Sequence, residues 1–454
     1  MTTNPAARPG RTLHLNAFLM EAGHHEAAWR LPEANAGASF DLDHYVRLAQ
    51  LAESARFDSL FLADGPVAQG TGEFRTPGQL EPLTLLTALA AVTERIGLIA
   101  TASTTYNDPY NLARRFASVD HVSGGRVGWN IVTSATEQEA ANFGLADRPA
   151  HSARYQRAEE FLQVALKLWD SWGDDHFIGD KAGGRWGDPA ELRAIDHVGE
   201  HFRVAGPLNV PRPPQGYPLL VQAGASEEGK AFAGRYAEAI FVAHQTLEAA
   251  QGFYADIKAR AVAEGRDPDH VVVLPGIVPI IGSTEREAIA LAQQLDDLRI
   301  PAFGLRALAT VLEVPESELH LDAPLSPAIT GRDSREGFDS RANLIIELAV
   351  RENLTVRQIL GRLGGGRGHN VVVGTPEQVV EVIECWFHHG GADGFNVMGA
   401  ALPSGLATFI EQVVPLLRAR GLFREEYEGR TLREHYGLPR PANRLVPAGA
   451  AAAR

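Results

Sequence analysis

Cysteine is all but missing from this chain: Cys385 is the only one in 454 residues. A single thiol excludes a disulfide framework and any metal site built from several cysteines. It lies in V-V-E-V-I-E-C-W-F, whose apolar spacing predicts a buried structural thiol. Long apolar runs are missing too. No uninterrupted stretch approaches membrane-spanning length, and the opening M-T-T-N-P-A-A-R-P-G lacks the apolar centre of a signal peptide. Positive charge is in deficit, with 42 Lys and Arg against 56 Asp and Glu, a formal net charge of −14. That balance argues against sequence-independent nucleic-acid binding, which needs a basic face. The expectation is an acidic, soluble, cytoplasmic protein. Several catalytic signatures are also absent. There is no G-x-G-x-x-G after the first strand-like run, no Walker loop, no G-x-S-x-G and no H-E-x-x-H.

What is present is a regular alternation. Hydrophobic residues make up 45% of the chain, enough for a large core. Short apolar runs at Leu13–Phe18, Ser59–Ala63, Ile96–Ala102, Val127–Val132, Leu219–Gly224, Ala239–Val242, Val271–Ile280 and Phe395–Met398 suit parallel strands buried on both faces. Helical spacing fills the gaps at Leu42–Ala55, from Pro82, and at Tyr110–Val122, Ala153–Trp172, Thr246–Glu264, Thr375–His388 and Leu406–Arg420. Eight strands alternating with helices predict a (β/α)8 TIM barrel, with an open doubly wound sheet as the alternative.

Two stretches break the alternation, giving long insertions after strands 4 and 7. Trp172–Pro218 is rich in Gly, Pro, Asp and Arg, and Asp296–Gly368 mixes helical runs with loops. Connections this long are commonly functional, so both are candidate covers for the barrel mouth. The expected organisation is one domain over residues 1–440, with a lid at about 296–368 and a flexible tail at 441–454.

Ligands on α/β barrels sit just past the C-terminal ends of the strands. Asp64 ends the second strand in F-D-S-L-F-L-A-D, and Thr101 leads a group of hydroxyls ending the third. Asn130, Thr133 and Ser134 end the fourth, in G-W-N-I-V-T-S. Downstream, H-S-A-R-Y reads as a helix start with Ser152 as its N-cap, and His151 and Tyr155, four apart, share a face if the helix begins early. In Q-A-G-A-S-E-E-G-K, Ser226 can cap a helix whose free N–H groups would meet a phosphate. Each feature has an ordinary structural explanation alone; their concentration at successive strand ends is what points to a site. The pairs His24-His25 and His388-His389 lack metal-ligand spacing and read as non-metal.

In order along the chain, A-W-R, F-D-S-L-F-L-A-D, D-P-Y-N-L-A-R-R-F-A-S-V-D-H-V-S-G-G-R, G-W-N-I-V-T-S, A-R-Y-Q-R-A-E-E-F, Q-A-G-A-S and G-L-F-R-E-E-Y-E-G-R-T-L-R-E-H resemble the bacterial-luciferase-like flavin-dependent monooxygenases. The resemblance runs from about His14 to Leu438 and is to the branch of nitrilotriacetate and dibenzothiophene-sulfone monooxygenases. It implies reduced FMN (FMNH2) held at the strand ends, with Asn130 and Ser134 facing the reactive ring. Asp64 and Thr101 would lie beside the ring or ribityl chain, and His151, Tyr155 and Ser226 toward the phosphate. It implies oxygenation of a small organic substrate by O2 through a C4a-(hydro)peroxyflavin, at a C–N or C–S bond. It also implies a separate NAD(P)H:flavin reductase and a homodimer or homotetramer. An F420-dependent oxidoreductase and a non-catalytic flavin-binding protein are the alternatives. An anionic substrate would want Arg30, Arg75 or Arg332 at the mouth; an aryl sulfone would want an apolar lid from Phe303, Leu305 and Phe338.

Overall fold

Each of the eight apolar runs becomes a strand in the computed structural model, which describes residues 11–68, 72–134, 136–331 and 340–445. The strands are β1 (His14–Phe18), β2 (Ser59–Leu62), β3 (Gly97–Ser103), β4 (Val127–Val132), β5 (Leu219–Gln222), β6 (Ala239–Val242), β7 (Val272–Ile281) and β8 (Gly394–Val397). All neighbours pair in parallel in the order β6-β5-β4-β3-β2-β1-β8-β7, and β6 pairs with β7 to close the barrel. The open sheet is thereby excluded.

Alternate residues of each strand face two different cores, which is why the strands read as largely apolar runs. Outward, Leu15, Leu60, Leu98 and Trp129 pack on Leu48, Leu86, Phe116 and Phe161 of the surrounding helices. Burying such a side chain contributes about 1.5–3 kcal/mol. Inward, Phe18, Phe61, Ile99, Val221 and Leu274 fill the barrel together with Leu432, Tyr436 and Leu438. Those last three come from the C-terminal segment, which plugs the N-terminal end of the barrel. Glycine makes the plug possible. A Cβ on Gly97, the first residue of β3, would collide with Leu432, and one on Gly128 would meet Ile99 at 2.9 Å and Leu432 at 3.3 Å. Around the plug, Tyr436 stacks on His14 at 4.8 Å and its hydroxyl donates to Asn16. Arg433 pairs with Glu238, and Arg424 with buried Asp58.

Several expectations change. Cys385 is exposed, not buried, because its face of helix Pro376–His388 turns outward while Val380, Ile383 and Phe387 turn in. The excursion 172–218 does not cover the mouth. Helix His151–Trp169 carries the chain 19 residues back toward the N-terminal end of the barrel before the excursion begins. The excursion forms two hairpins, Phe177–Asp180 with Arg185–Gly187 and His197–Val198 with Arg203–Val204. The second lies along helix His151–Trp169, His197 meeting Glu160 and Phe202 meeting Phe161, and Arg212 of the excursion reaches Pro441. The tail expected from Pro441 begins docked, since Asn443 donates to the carbonyls of Asp170 and Trp172. A ninth parallel strand, Asn370–Gly374, pairs with the outer half of β7.

The insertion 296–368 has a core of its own. Helices Pro301–Leu312, Pro327–Thr330, Ser340–Arg351 and Val356–Gly364 bury Leu308, Leu312, Ile329, Ile345, Leu348 and Ile359 among themselves. No helix among the described residues is long and apolar enough to cross a membrane.

Asp120, near the end of helix Pro109–Ser123, is fully buried, and burial pushes its carboxyl up to about 7. Oδ1 accepts from Val127 N–H and Gln215, whereas Oδ2 has no partner among the described residues. The folded chain therefore keeps this proton between about pH 4 and pH 7, where the unfolded chain has released it. Stability from this group declines as pH rises through that window. Asp120→Asn should remove the decline, so urea midpoints measured from pH 4 to pH 7 should fall less in the variant than in the parent. Parallel profiles would refute the assignment.

Candidate functional site

The C-terminal ends of β2 to β5 gather the polar residues singled out above. Thr101 on β3 and Asn130 on β4 are paired in register, and Asn130 Nδ2 donates to Thr101 Oγ1 at 2.8 Å. Asn130 Oδ1 is buried with no partner among the described residues, as is Gln222 Oε1 at the end of β5. An orphaned buried acceptor costs about 1–3 kcal/mol, a cost that a donor from a bound ligand relieves. Asp64 stands after β2. Burial, with Glu81 and Glu139 nearby, pushes it up to about 6 against hydrogen bonds from Gly65 N–H and Gln79.

Ser134, just past β4, has φ +50, a left-handed conformation uncommon for a residue with a Cβ. Two bonds hold it there. Its Oγ donates to Ser103 Oγ at 2.9 Å, and its carbonyl accepts from Arg154 Nη1 at 2.7 Å. Arg154 also reaches His151, with Nη2 3.1 Å from Nδ1. A guanidinium can only donate, so Nδ1 accepts and the ring proton sits on Nε2. That nitrogen lies 3.2 Å from both Ser226 Oγ and Glu228 Oε2. The Glu228 carboxylate is the anionic group beside that nitrogen.

Helix His151–Trp169 starts at His151 itself, so His151 and Tyr155 do share a face, with ring centroids 5.1 Å apart. Ser152 is not its N-cap; Ala150 is, and it offers no side-chain bond. The serine falls inside the first turn because the helix begins earlier than Ser152 would dictate, leaving the first N–H groups without a protein side-chain cap. Ser226 does cap its helix, Glu227–Tyr236, accepting from Gly229 N–H. The Tyr155 hydroxyl bonds Ser226 and Gln222, and burial raises its pKa. Gly224 keeps this corner open, since a Cβ there would collide with Gln222 and lie 2.7 Å from the Tyr155 hydroxyl.

Taken together, an orphaned acceptor at the barrel mouth and a His/Tyr/Ser cluster at a helix N-terminus suit a ligand with a polar ring and an anionic tail. A family model described as luciferase-like monooxygenase matches residues 20–394. The chain belongs to the luciferase-like monooxygenase family. It is 47% identical to N-acetyl-S-(2-succino)cysteine monooxygenase of Bacillus subtilis (strain 168), covering 96% of this chain and 99% of that one. It is 44% identical to nitrilotriacetate monooxygenase component A of Aminobacter aminovorans, over 96% and 98%. Among solved structures, EDTA monooxygenase of Chelativorans sp. BNC1 superposes with TM-score 0.79 at 37% identity, over 95% and 99%. Riboflavin lyase, solved with modified FMN and riboflavin, gives 0.84 at 33%, over 94% and 96%. Two F420-dependent enzymes, at 15% identity, share the fold alone.

The luciferase-like chain holds two site residues that motif reading passes over. Arg154 is buried, although a charged residue in a helix usually signals a solvated face; its i, i+3 spacing from His151 was the available signal. Gln222 lay inside the quoted Q-A-G-A-S. Of the substrate candidates, Arg30 donates to Leu298 O at the root of the insertion, and Arg75 pairs with Glu21. Leu305 packs against the insertion's own core. Arg332 and Phe338 lie outside the described residues. Among the described residues no group of three or more His, Cys, Asp or Glu side chains is placed to hold a metal ion.

Proposed function

We propose that this chain is the oxygenase component of a two-component system, binding reduced FMN and oxygenating a small organic substrate with O2. The observation that carries the reading is the pairing of orphaned acceptors Asn130 Oδ1 and Gln222 Oε1 with the His151–Arg154–Ser226 chain that already holds a carboxylate. An isoalloxazine offers donors to Asn130 Oδ1, the ribityl hydroxyls offer them to Gln222 Oε1 beside Tyr155, and a phosphate replaces Glu228 next to His151. When bound, reduced FMN supplies the two electrons with which one oxygen atom enters the substrate and the other leaves as water.

The chain's own residues do the rest. Asn130 and Ser134 present polar atoms to the ring end, and Asp64 and Thr101 line the same rim. His151, Tyr155 and Ser226 hold the phosphate end. Arg154 ties the two ends together through the Ser134 carbonyl and His151 Nδ1. The insertion 296–368 acts as the cover that keeps water from the reacting centre. Its return reaches the mouth, where His24 Nε2 lies 3.3 Å from Gly366 O and His369 stacks on Phe241 at 5.1 Å. Residues 1–440 form one functional unit in this reading. A separate NAD(P)H:flavin reductase delivers the reduced cofactor in the cytoplasm. A homodimer or homotetramer would cover the exposed Phe177, Trp186 and Val198 of the two hairpins.

The test is direct. With FMN, NADH and a generic flavin reductase, the chain should bind FMN and pass label from 18O2 into an organic product. Activity with reduced F420 but none with reduced FMN would overturn the reading.

A further inference from the structure

Beside the flavin site the mouth holds a second feature that the cofactor does not use. A cavity of about 290 Å³ opens between the loop after β1, the loop after β2 and the return of the insertion. It lies on the β8–β1–β2 side, across the barrel from His151 and Ser226 between β4 and β5. Phe18, Phe61 and Phe241, with His369 stacked on the last, occupy the mouth between the two. The cavity is near the small end of the range for ligand sites.

We propose that this cavity, walled by Glu21, Glu26, Trp29, Phe74, Arg75 and Arg367, seats a small carboxylate-bearing substrate and that Arg75 receives its carboxylate. The proposal rests on the monooxygenase reading above and names the substrate class for it.

Arg75 carries the argument. Its side chain is 15% exposed, and both of its bonds to Glu21, at 2.8 and 2.7 Å, run through Nη2 alone. Neither Nη1 nor Nε has a partner among the described residues, so the donors of this cavity-lining guanidinium stand open to a ligand or to water. Guanidinium donors match the two oxygens of a carboxylate, which they can hold through parallel charge-assisted bonds. Arg367 adds positive charge from the insertion side, its Nη1 3.7 Å from Met20 Sδ. Of the acids lining the cavity besides Glu21, Glu26 has its carboxyl pushed up by burial although Arg299, His25, Arg367 and Arg75 pull it down, and Glu73 is exposed. Trp29 and Phe74 give flat walls for a short carbon skeleton, and Arg306 of the insertion lies 5.9 Å over the Phe74 ring. A pure hydrocarbon in this space would desolvate these charges and return nothing.

The experiment uses the FMN-loaded full chain and three probes: S-methylmercaptosuccinate, iminodiacetate and the dimethyl ester of the first. Binding is measured by calorimetry, and turnover by product mass with NADH and a reductase. At least one diacid should bind, and the ester should bind about tenfold or more weaker. Arg75→Gln should raise Kd and KM for that diacid about tenfold or more while FMN affinity stays the same. Arg75→Lys keeps the charge opposite Glu21, so the fold is secured, and should show an intermediate loss. If no diacid binds, if the ester binds equally well, or if both variants bind the diacid like the parent, the proposal is overturned. Calorimetry separates the two readings: diacid binding with no oxygen incorporation leaves the carboxylate seat standing and removes the monooxygenase reading instead.

Discussion

Replacing Arg433 by alanine will destabilise the protein by about 3–5 kcal/mol, the usual cost of stripping one partner from a buried ion pair. The side chains of Arg433 and Glu238 are 4% and 9% exposed. Nη1 donates to Glu238 Oε2 at 2.8 Å, Nη2 to Oε1, and Nε to Pro439 O at 3.0 Å. Glu238 Oε2 also accepts Leu220 N–H at 3.0 Å. The pair thus fastens the plugging segment to the chain entering β5 and β6. Alanine leaves the Glu238 carboxylate buried without a counter-charge. The loss should appear as a lower urea midpoint at an unchanged slope. Arg433→Met with Glu238→Gln should recover part of it, because no charge is left unpaired and the amide oxygen can still accept the Leu220 N–H. A single variant within about 0.5 kcal/mol of the parent, as for an ordinary surface position, would contradict this account.

Exchanging His151 for alanine and Tyr155 for phenylalanine together should weaken FMN binding by about two orders of magnitude. Hydrogen bonds to a charged group contribute about 1.5–3 kcal/mol each, and about 1.4 kcal/mol is tenfold in affinity. Riboflavin, which lacks the phosphate, should bind the variant and the parent alike. Flavin fluorescence titration reads both constants. Equal losses for FMN and riboflavin would move these two residues from the phosphate end to the ring or ribityl chain. An unchanged FMN constant would remove them from the site.

The barrel is legible in the sequence because a strand buried on both faces is mostly apolar, as Ala239–Val242 is; in Leu13–Phe18 the two exceptions, His14 and Asn16, both meet Tyr436. Strand Asn370–Gly374 is harder to read, since it pairs with one edge of β7 outside the barrel and is only half-buried. Composition marks 172–218 as irregular but does not say which end of the barrel it meets; the length of helix His151–Trp169 decides that. Ser152 shows the limit of cap chemistry, for a serine at a helix start is no cap when the helix begins one residue before it. In the site, spacing puts His151 and Tyr155 on one face only if the helix begins early, and it begins at His151. Arg154 escapes because its burial depends on a carbonyl supplied from the end of β4, 20 residues away. The cavity around Arg75 joins residues from three separate loops, a grouping that no local motif contains.

The plug has a consequence for how the protein is made. Leu432, Tyr436 and Leu438 are translated after all eight strands, yet they complete the layer of side chains inside them. Until those codons are read the barrel interior lacks these three side chains, so its packing is completed only by the last part of the chain to be synthesised.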